Sequence, residues 1–132
     1  MHFAKWVFRL AGIIGLLMII PPYFLEKQFG QDHPPPVNHP EFYYGFFGVT
    51  LAWQLMFLVI ASDPIRYRPA MLPAIVEKAS FPIAIVVLYA FERVPASNVA
   101  FASIDATWLV LFIVAFWKTG QKAAPVTSGQ SG

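Results

Sequence analysis

Charged and amide side chains interrupt segments of the sequence that are otherwise apolar. Glu77 and Lys78 lie in the third of four apolar segments, Gln54 lies in the second and Asp105 in the fourth. An ionisable group inside a membrane span is costly and by default marks a functional site. A carboxylate next to an ammonium can hold an ion, relay a proton or neutralise its neighbour. These four residues therefore form the candidate intramembrane polar site.

Two of the polar residues are predicted to lie at the same depth. Gln54 lies seven residues before the end of the second apolar segment, and Glu77 lies seven residues after the start of the third. The link between these segments, residues 62–69, is short, and a short link favours antiparallel neighbours. We therefore expect Glu77 to face the bundle interior, within hydrogen-bonding reach of Gln54 or Thr50, directly or through water.

Prolines flank the charged pair in the third segment. Pro82 has no N–H and crowds the carbonyl of Lys78, so a kink is expected there. Broken helices of this kind bind ions or substrates in transporters. The alternative is a structural role, in which Glu77 and Lys78 neutralise polar neighbours inside the bundle or Lys78 extends to the interface. Both interpretations stay open on the sequence alone.

The remaining polar residues offer few other chemistries. Asp105 is expected to pair with Arg93 or to accept a hydrogen bond from Tyr43 or Tyr44. The two histidines of residues 28–40 lack the spacing of a metal site. The sequence contains no cysteine, no G-x-S-x-G motif and no glycine-rich phosphate loop. We therefore assign no catalytic residue, no metal and no cofactor.

Composition indicates how these residues are held. The chain has 132 residues, of which 58% are hydrophobic and only 12% charged, whereas a soluble domain is about 25% charged. A small domain cannot hide so much apolar surface from water. The sequence predicts an all-α integral membrane bundle of four transmembrane helices, formed by residues 1–117. The helices are expected at about residues 3–25, 42–61, 70–91 and 99–117, and residues 118–132 are expected to form a disordered cytoplasmic tail.

Prolines and basic residues predict the topology. Pro21 and Pro22 are expected to end or bend the first helix. Residues 28–40, which contain three consecutive prolines, are expected to be extended and to lie outside the hydrocarbon. Six Lys and Arg residues flank one side of the spans and two flank the other, which places both termini in the cytoplasm. Because the basic residues are scattered, the chain is not expected to bind nucleic acid.

Small residues indicate where the helices pack. Lipid tails do not drive helices together, so close contact depends on small side chains. Each segment has such a stripe, and we expect all four to be contact faces: Ala11 and Gly15; Gly45, Gly48 and Ala52; Ser80 and Ala84; Ala102 and Ala106.

Several strings in the chain resemble small bacterial membrane proteins without an established activity. The strings are WVFRLAGIIGLL, HPEFYYGF, LAWQ, DPIRYRP and LPAIVEK. The layout is also similar to that of DoxX-type four-helix membrane proteins. The resemblance implies a bacterial inner membrane and a four-helix architecture, and it carries over no catalytic residue.

These observations favour a small non-enzymatic membrane protein. We expect an interaction or accessory subunit of a membrane assembly, whose partners are the lipid bilayer and other membrane subunits or further copies of itself. One alternative is a small oligomeric transporter or proton-coupled carrier that uses Gln54, Glu77 and Lys78. The other is a lipid- or quinone-binding membrane enzyme with a polar pocket near Asp105 and Glu41.

Overall fold

The computed structural model describes residues 2–123, and in this range all regular structure is helical. Four of the helices are long and apolar enough to cross a membrane, which confirms the predicted all-α membrane bundle. A short 3-10 turn, Arg68–Ala70, precedes the fourth helix. The helices are α1 His2–Phe24, α2 Glu26–Asp32, α3 Pro40–Ser62, α4 Met71–Ala90 and α5 Ala96–Ala123.

The long helices associate as two pairs. α1 packs along α3, and α4 packs along α5, whereas α3 and α4 touch only sparsely. The expectation that the short link makes α3 and α4 close neighbours is therefore wrong. The α1–α3 pair is close because Gly12 has no side chain: a Cβ there would lie 2.8 Å from the Leu58 side chain and 2.9 Å from the backbone oxygen of Gln54.

Only two of the four small-residue stripes are contact faces. Ala11 on α1 and Ala102 on α5 are buried. On α3, by contrast, a Cβ added to Gly45 or Gly48 would meet no atom within 4 Å, and the stripe on α4 is exposed. Gly45 and Ser80 instead line a shallow groove between α3 and α4, here called the α3–α4 groove. The packing expectation for these two stripes is wrong, because α3 packs on α1 and α4 packs on α5 through other faces.

The hydrophobic core lies at one end of the bundle. We call this the terminal end, because it holds the first residues of α1 and α4 and the last residues of α3 and α5. Phe8, Phe57 and Phe112 are fully buried there. The Phe8 and Phe112 rings stack with centroids 4.2 Å apart, and Phe57 meets Phe112 edge-on at 5.0 Å. The opposite end, which holds α2 and the turn at residues 91–95, is called the loop end.

Arg68 fastens the last turns of α5 to the turn before α4. Its Nε and Nη2 donate hydrogen bonds to the Phe116 carbonyl at 3.1 and 3.0 Å. The guanidinium also lies over the Phe116 ring, 3.7 Å from the centroid. Gly120 makes room for it, since a Cβ at that position would lie 2.5 Å from Nη2. The sequence had suggested only a topological role for this arginine.

The helix boundaries agree with the sequence expectations in part. α1 continues through Pro21 and Pro22 and ends at Phe24, close to the expected end at about residue 25. α2 is seven residues long and occupies the first part of the segment 28–40, which was expected to be extended. α5 continues to Ala123, so residues 118–123 belong to a helix and not to a tail. Residues 124–132 of the predicted tail lie outside the described residues.

Candidate intramembrane binding site

A cavity of about 910 Å³ lies between the two helix pairs, in the half of the bundle nearer the loop end. Small-molecule sites in proteins typically have volumes of about 300–1,000 Å³. Six aromatic rings contribute to the walls, and the sequence alone did not reveal this because the rings come from four different parts of the chain. The aromatic lining residues are Phe29, Phe46, Phe47, Phe81, Phe101 and Trp108.

Tyrosine hydrogen bonds hold the loop end against α3. The Tyr43 hydroxyl donates to the carbonyl of Pro22, at the end of α1. The Tyr44 hydroxyl donates to Glu26 Oε2, in the first turn of α2, at 2.9 Å. The Phe29 ring packs edge-on against Tyr43, with centroids 5.2 Å apart. These contacts fix α2 beside the cavity, so that it forms part of the wall.

A buried ion-pair cluster forms the polar part of the cavity. The Lys78 side chain is only 8% exposed, and its Nζ lies 3.4 Å from Asp105 Oδ1 and 3.7 Å from Glu77 Oε2. The ammonium also lies 5.2 Å from the centroid of the Phe57 ring, on the side of the hydrophobic core. The cluster therefore connects α4 to α5 at the boundary between the packed core and the cavity.

Gln54 lines the same cavity from α3 and is 1% exposed. Its Nε2 donates to the backbone carbonyl of Thr50 at 3.1 Å, while its Oε1 has no hydrogen-bond partner. The amide abuts α1 at Gly15, where any Cβ would overlap with Oε1. Glu77 Oε2 likewise accepts no hydrogen bond among the described residues. Two buried acceptors at the cavity thus have no donor, and each such group carries a desolvation penalty.

The structure brings the four predicted polar residues to one cavity, but their pairing differs from the expectation. Glu77 does not hydrogen-bond directly to Gln54 or Thr50, because α4 packs on α5 and stands away from α3. Asp105 pairs with Lys78 for the same reason. Tyr43 and Tyr44, two of the expected partners of Asp105, donate their hydroxyl hydrogen bonds to Pro22 and Glu26 instead.

One backbone hydrogen bond of α4 is missing beside the cluster. The helix continues through Pro82, which cannot donate to the Lys78 carbonyl. At the neighbouring carbonyl, the Ser80 hydroxyl donates to Glu77 O at 2.8 Å. Glu77 and Ser80 line both the cavity and the α3–α4 groove, as do Phe46 and Thr50. These side chains are thus the partition between the cavity and the outer face of the bundle.

Metal binding has no support in the described part of the chain. Across residues 2–123, no three His, Cys, Asp or Glu side chains are grouped so that they could hold a metal ion. Glu77 and Asp105 instead approach the same lysine. The arrangement is suited to binding a polar group from a ligand.

Comparison of the chain with protein-family models, with curated proteins and with solved structures finds no match. The resemblance to DoxX-type proteins therefore stays a prediction.

Proposed function

We propose that this protein binds a small amphipathic molecule inside the membrane, in the cavity between its two helix pairs. The observation that carries the proposal is a cavity with aromatic walls and a buried charged cluster at one side. This is the binding component of the lipid- or quinone-binding alternative. No reaction is proposed, since no catalytic residue is assigned.

The two kinds of lining match the two parts of such a molecule. Its apolar body would contact the aromatic walls, where dispersion contacts add up over many atoms. Its polar head would lie beside Lys78, Glu77 and Asp105, which are otherwise held in a poorly hydrated part of the bundle. A head group that hydrogen-bonds to the cluster would offset part of its desolvation cost.

An accessory role in a bacterial inner membrane, with both termini in the cytoplasm, remains a prediction. A bound molecule is compatible with that role, because an accessory subunit can present a ligand to its assembly. Oligomeric transport also remains a prediction. The cavity supports the binding step of transport. Transport itself also requires a second conformation, which opens to the other side of the membrane.

Tryptophan quenching tests the proposal at the cavity itself. Trp108 lines the cavity, whereas Trp117 is 69% exposed at the terminal end. A variant that keeps only Trp108 and a matched variant that keeps only Trp117 would be purified in a nonionic detergent. Each would be titrated with three nitroxides that share one ring and differ in the head: 4-amino-, 4-hydroxy- and 4-carboxy-TEMPO. We expect at least one nitroxide to quench Trp108 saturably, while quenching of Trp117 increases linearly.

A cavity-filling substitution provides the control. Thr50→Phe would place a ring in the cavity, whereas Val59→Phe would place the same ring on a position of α3 that is 44% exposed and outside the cavity. Saturable quenching of Trp108 should disappear in Thr50→Phe and persist in Val59→Phe. Linear quenching of Trp108 by all three nitroxides would overturn the proposal.

A further inference from the structure

The cavity contains more negative than positive side chains. Asp32, Glu77 and Asp105 line it, and Lys78 is the one lysine or arginine that lines it in the described chain. His33 also lines the cavity, near its mouth, as an exposed side chain of the segment after α2. Lys78 lies within ion-pair distance of both Glu77 and Asp105. Lys78 therefore supplies one positive charge for two carboxyl groups.

Two buried oxygens beside the cavity add to its negative character. The acceptors Gln54 Oε1 and Glu77 Oε2 are both buried and both lack a donor among the described residues. Gln54 is almost wholly buried, so solvent around the bundle does not satisfy its oxygen. Neither oxygen is open to the cavity, and Gln54 Oε1 abuts Gly15, so both would act on a bound ligand through their negative partial charge.

The walls favour the same class of ligand. Aromatic faces attract cations that lie within about 6 Å of the ring centroid, and the attraction strengthens when the cation is desolvated. The lysine of the cluster already makes one such contact with Phe57 from the core side. On the cavity side, Phe46, Phe81 and Trp108 contribute further rings to the walls.

We infer that the preferred ligand is an amphipathic cation, an apolar body that carries an ammonium group. The inference rests on the proposed binding function and adds the charge of the head. An ammonium supplies positive charge beside two carboxyl groups that share one lysine and beside two buried oxygens without a donor. An anionic head is disfavoured, because Lys78 is already engaged by two carboxylates.

The three nitroxides test the inference, because they share one ring and carry a cationic, a neutral or an anionic head near neutral pH. We expect 4-amino-TEMPO to bind Trp108-only protein roughly tenfold more tightly than 4-hydroxy-TEMPO, a ratio equivalent to about 1.4 kcal/mol. We expect 4-carboxy-TEMPO to bind most weakly. The nonionic detergent keeps surface charge from concentrating any one probe, and the Trp117-only protein reports the free probe in the micelle.

Charge-removing variants locate the preference. Glu77→Gln should reduce the preference for the amino probe to about threefold or less, since it removes one of the carboxylates beside the ligand. Glu92→Gln removes the same charge from the exposed turn outside the cavity, and the preference should be unchanged. Asp105→Asn provides a second cavity variant if Glu77→Gln does not fold.

The outcomes separate the two claims. If 4-hydroxy- or 4-carboxy-TEMPO binds as tightly as the amino probe, the inference about charge is wrong and the binding function stands. If none of the probes quenches Trp108 saturably, the binding function itself is wrong. If Glu92→Gln lowers the preference as much as the cavity variants do, the preference arises from general surface charge, which also contradicts the inference.

Discussion

The half of the bundle at the terminal end and the half at the loop end contain the same four long helices but pack them differently. At the terminal end, all four helices contribute to one core, in which the Phe8, Phe57 and Phe112 rings are fully buried. Arg68 adds a link between the turn before α4 and the end of α5. Towards the loop end, the two helix pairs separate and enclose the cavity.

The difference separates the source of stability from the site of binding. Association of helices in lipid depends on close packing, and the stacked phenylalanines provide it. The open half keeps a buried lysine beside two carboxyl groups, and two buried acceptors without donors, and burying such groups costs stability. The stability of the packed half compensates for this cost, so the bundle can retain buried polar groups in the other half.

The largest effect is expected from a cavity made in the packed half. Phe112→Ala would remove the ring that contacts both Phe8 and Phe57. We expect a loss of about 3–5 kcal/mol in the free energy of unfolding, the usual cost of deleting a buried aromatic ring. Unfolding in mixed micelles with increasing SDS, followed by circular dichroism, measures it.

The control for this substitution lies on the same helix. Val110 is 59% exposed, and Val110→Ala should change the free energy of unfolding by less than about 0.5 kcal/mol. If Phe112→Ala cost no more than Val110→Ala, the terminal end would not be the source of stability, and the contrast between the halves would be lost.

A smaller effect is expected at the boundary between the halves. Lys78→Met would leave Glu77 and Asp105 facing each other without their shared ammonium. We expect a loss of roughly 3 kcal/mol, since removing one partner of a buried ion pair leaves a charge uncompensated. The double variant with Asp105→Asn should recover more than half of the loss. A double-mutant cycle in the same SDS titration measures the coupling energy between Lys78 and Asp105. If the two losses are additive, the 3.4 Å contact between them contributes no coupling energy.

The architecture was largely predictable from the sequence, because hydrophobic length depends only on composition along the chain. The four spans and the membrane class follow from runs of apolar residues. The polar residues were also identifiable, since Glu77, Lys78 and Asp105 are conspicuous inside such runs. Helix ends were less predictable: α5 continues to Ala123, beyond the expected end at residue 117, and Arg68 contacts its last turns in a way that the sequence does not show.

The pairing of the helices was not predictable in the same way. A short link brings the ends of α3 and α4 together but does not determine the angle at which they continue. The partner of α3 depends on Gly12 and Gly15, whose missing side chains admit the backbone of α3 and the amide of Gln54. The stripe of Gly45 and Gly48 looks equivalent in sequence and faces open space. Which glycines are contacted depends on the three-dimensional packing of all four helices.

The smallest expected effect uses two of these glycines as a matched pair. Gly12→Ala would place a Cβ 2.9 Å from the backbone oxygen of Gln54, which cannot move aside as a flexible side chain would. We expect a loss of about 1–3 kcal/mol, the usual range for overpacking. Gly48→Ala makes the same chemical change where no atom lies within 4 Å, so the better helix propensity of alanine should leave stability unchanged or increase it by up to about 1 kcal/mol. SDS titration of both variants measures the difference. An equal loss in both would mean that the open face of α3 is packed against another helix in the membrane, for example in a second copy of the chain, and that the loop-end half is closed in the assembled protein.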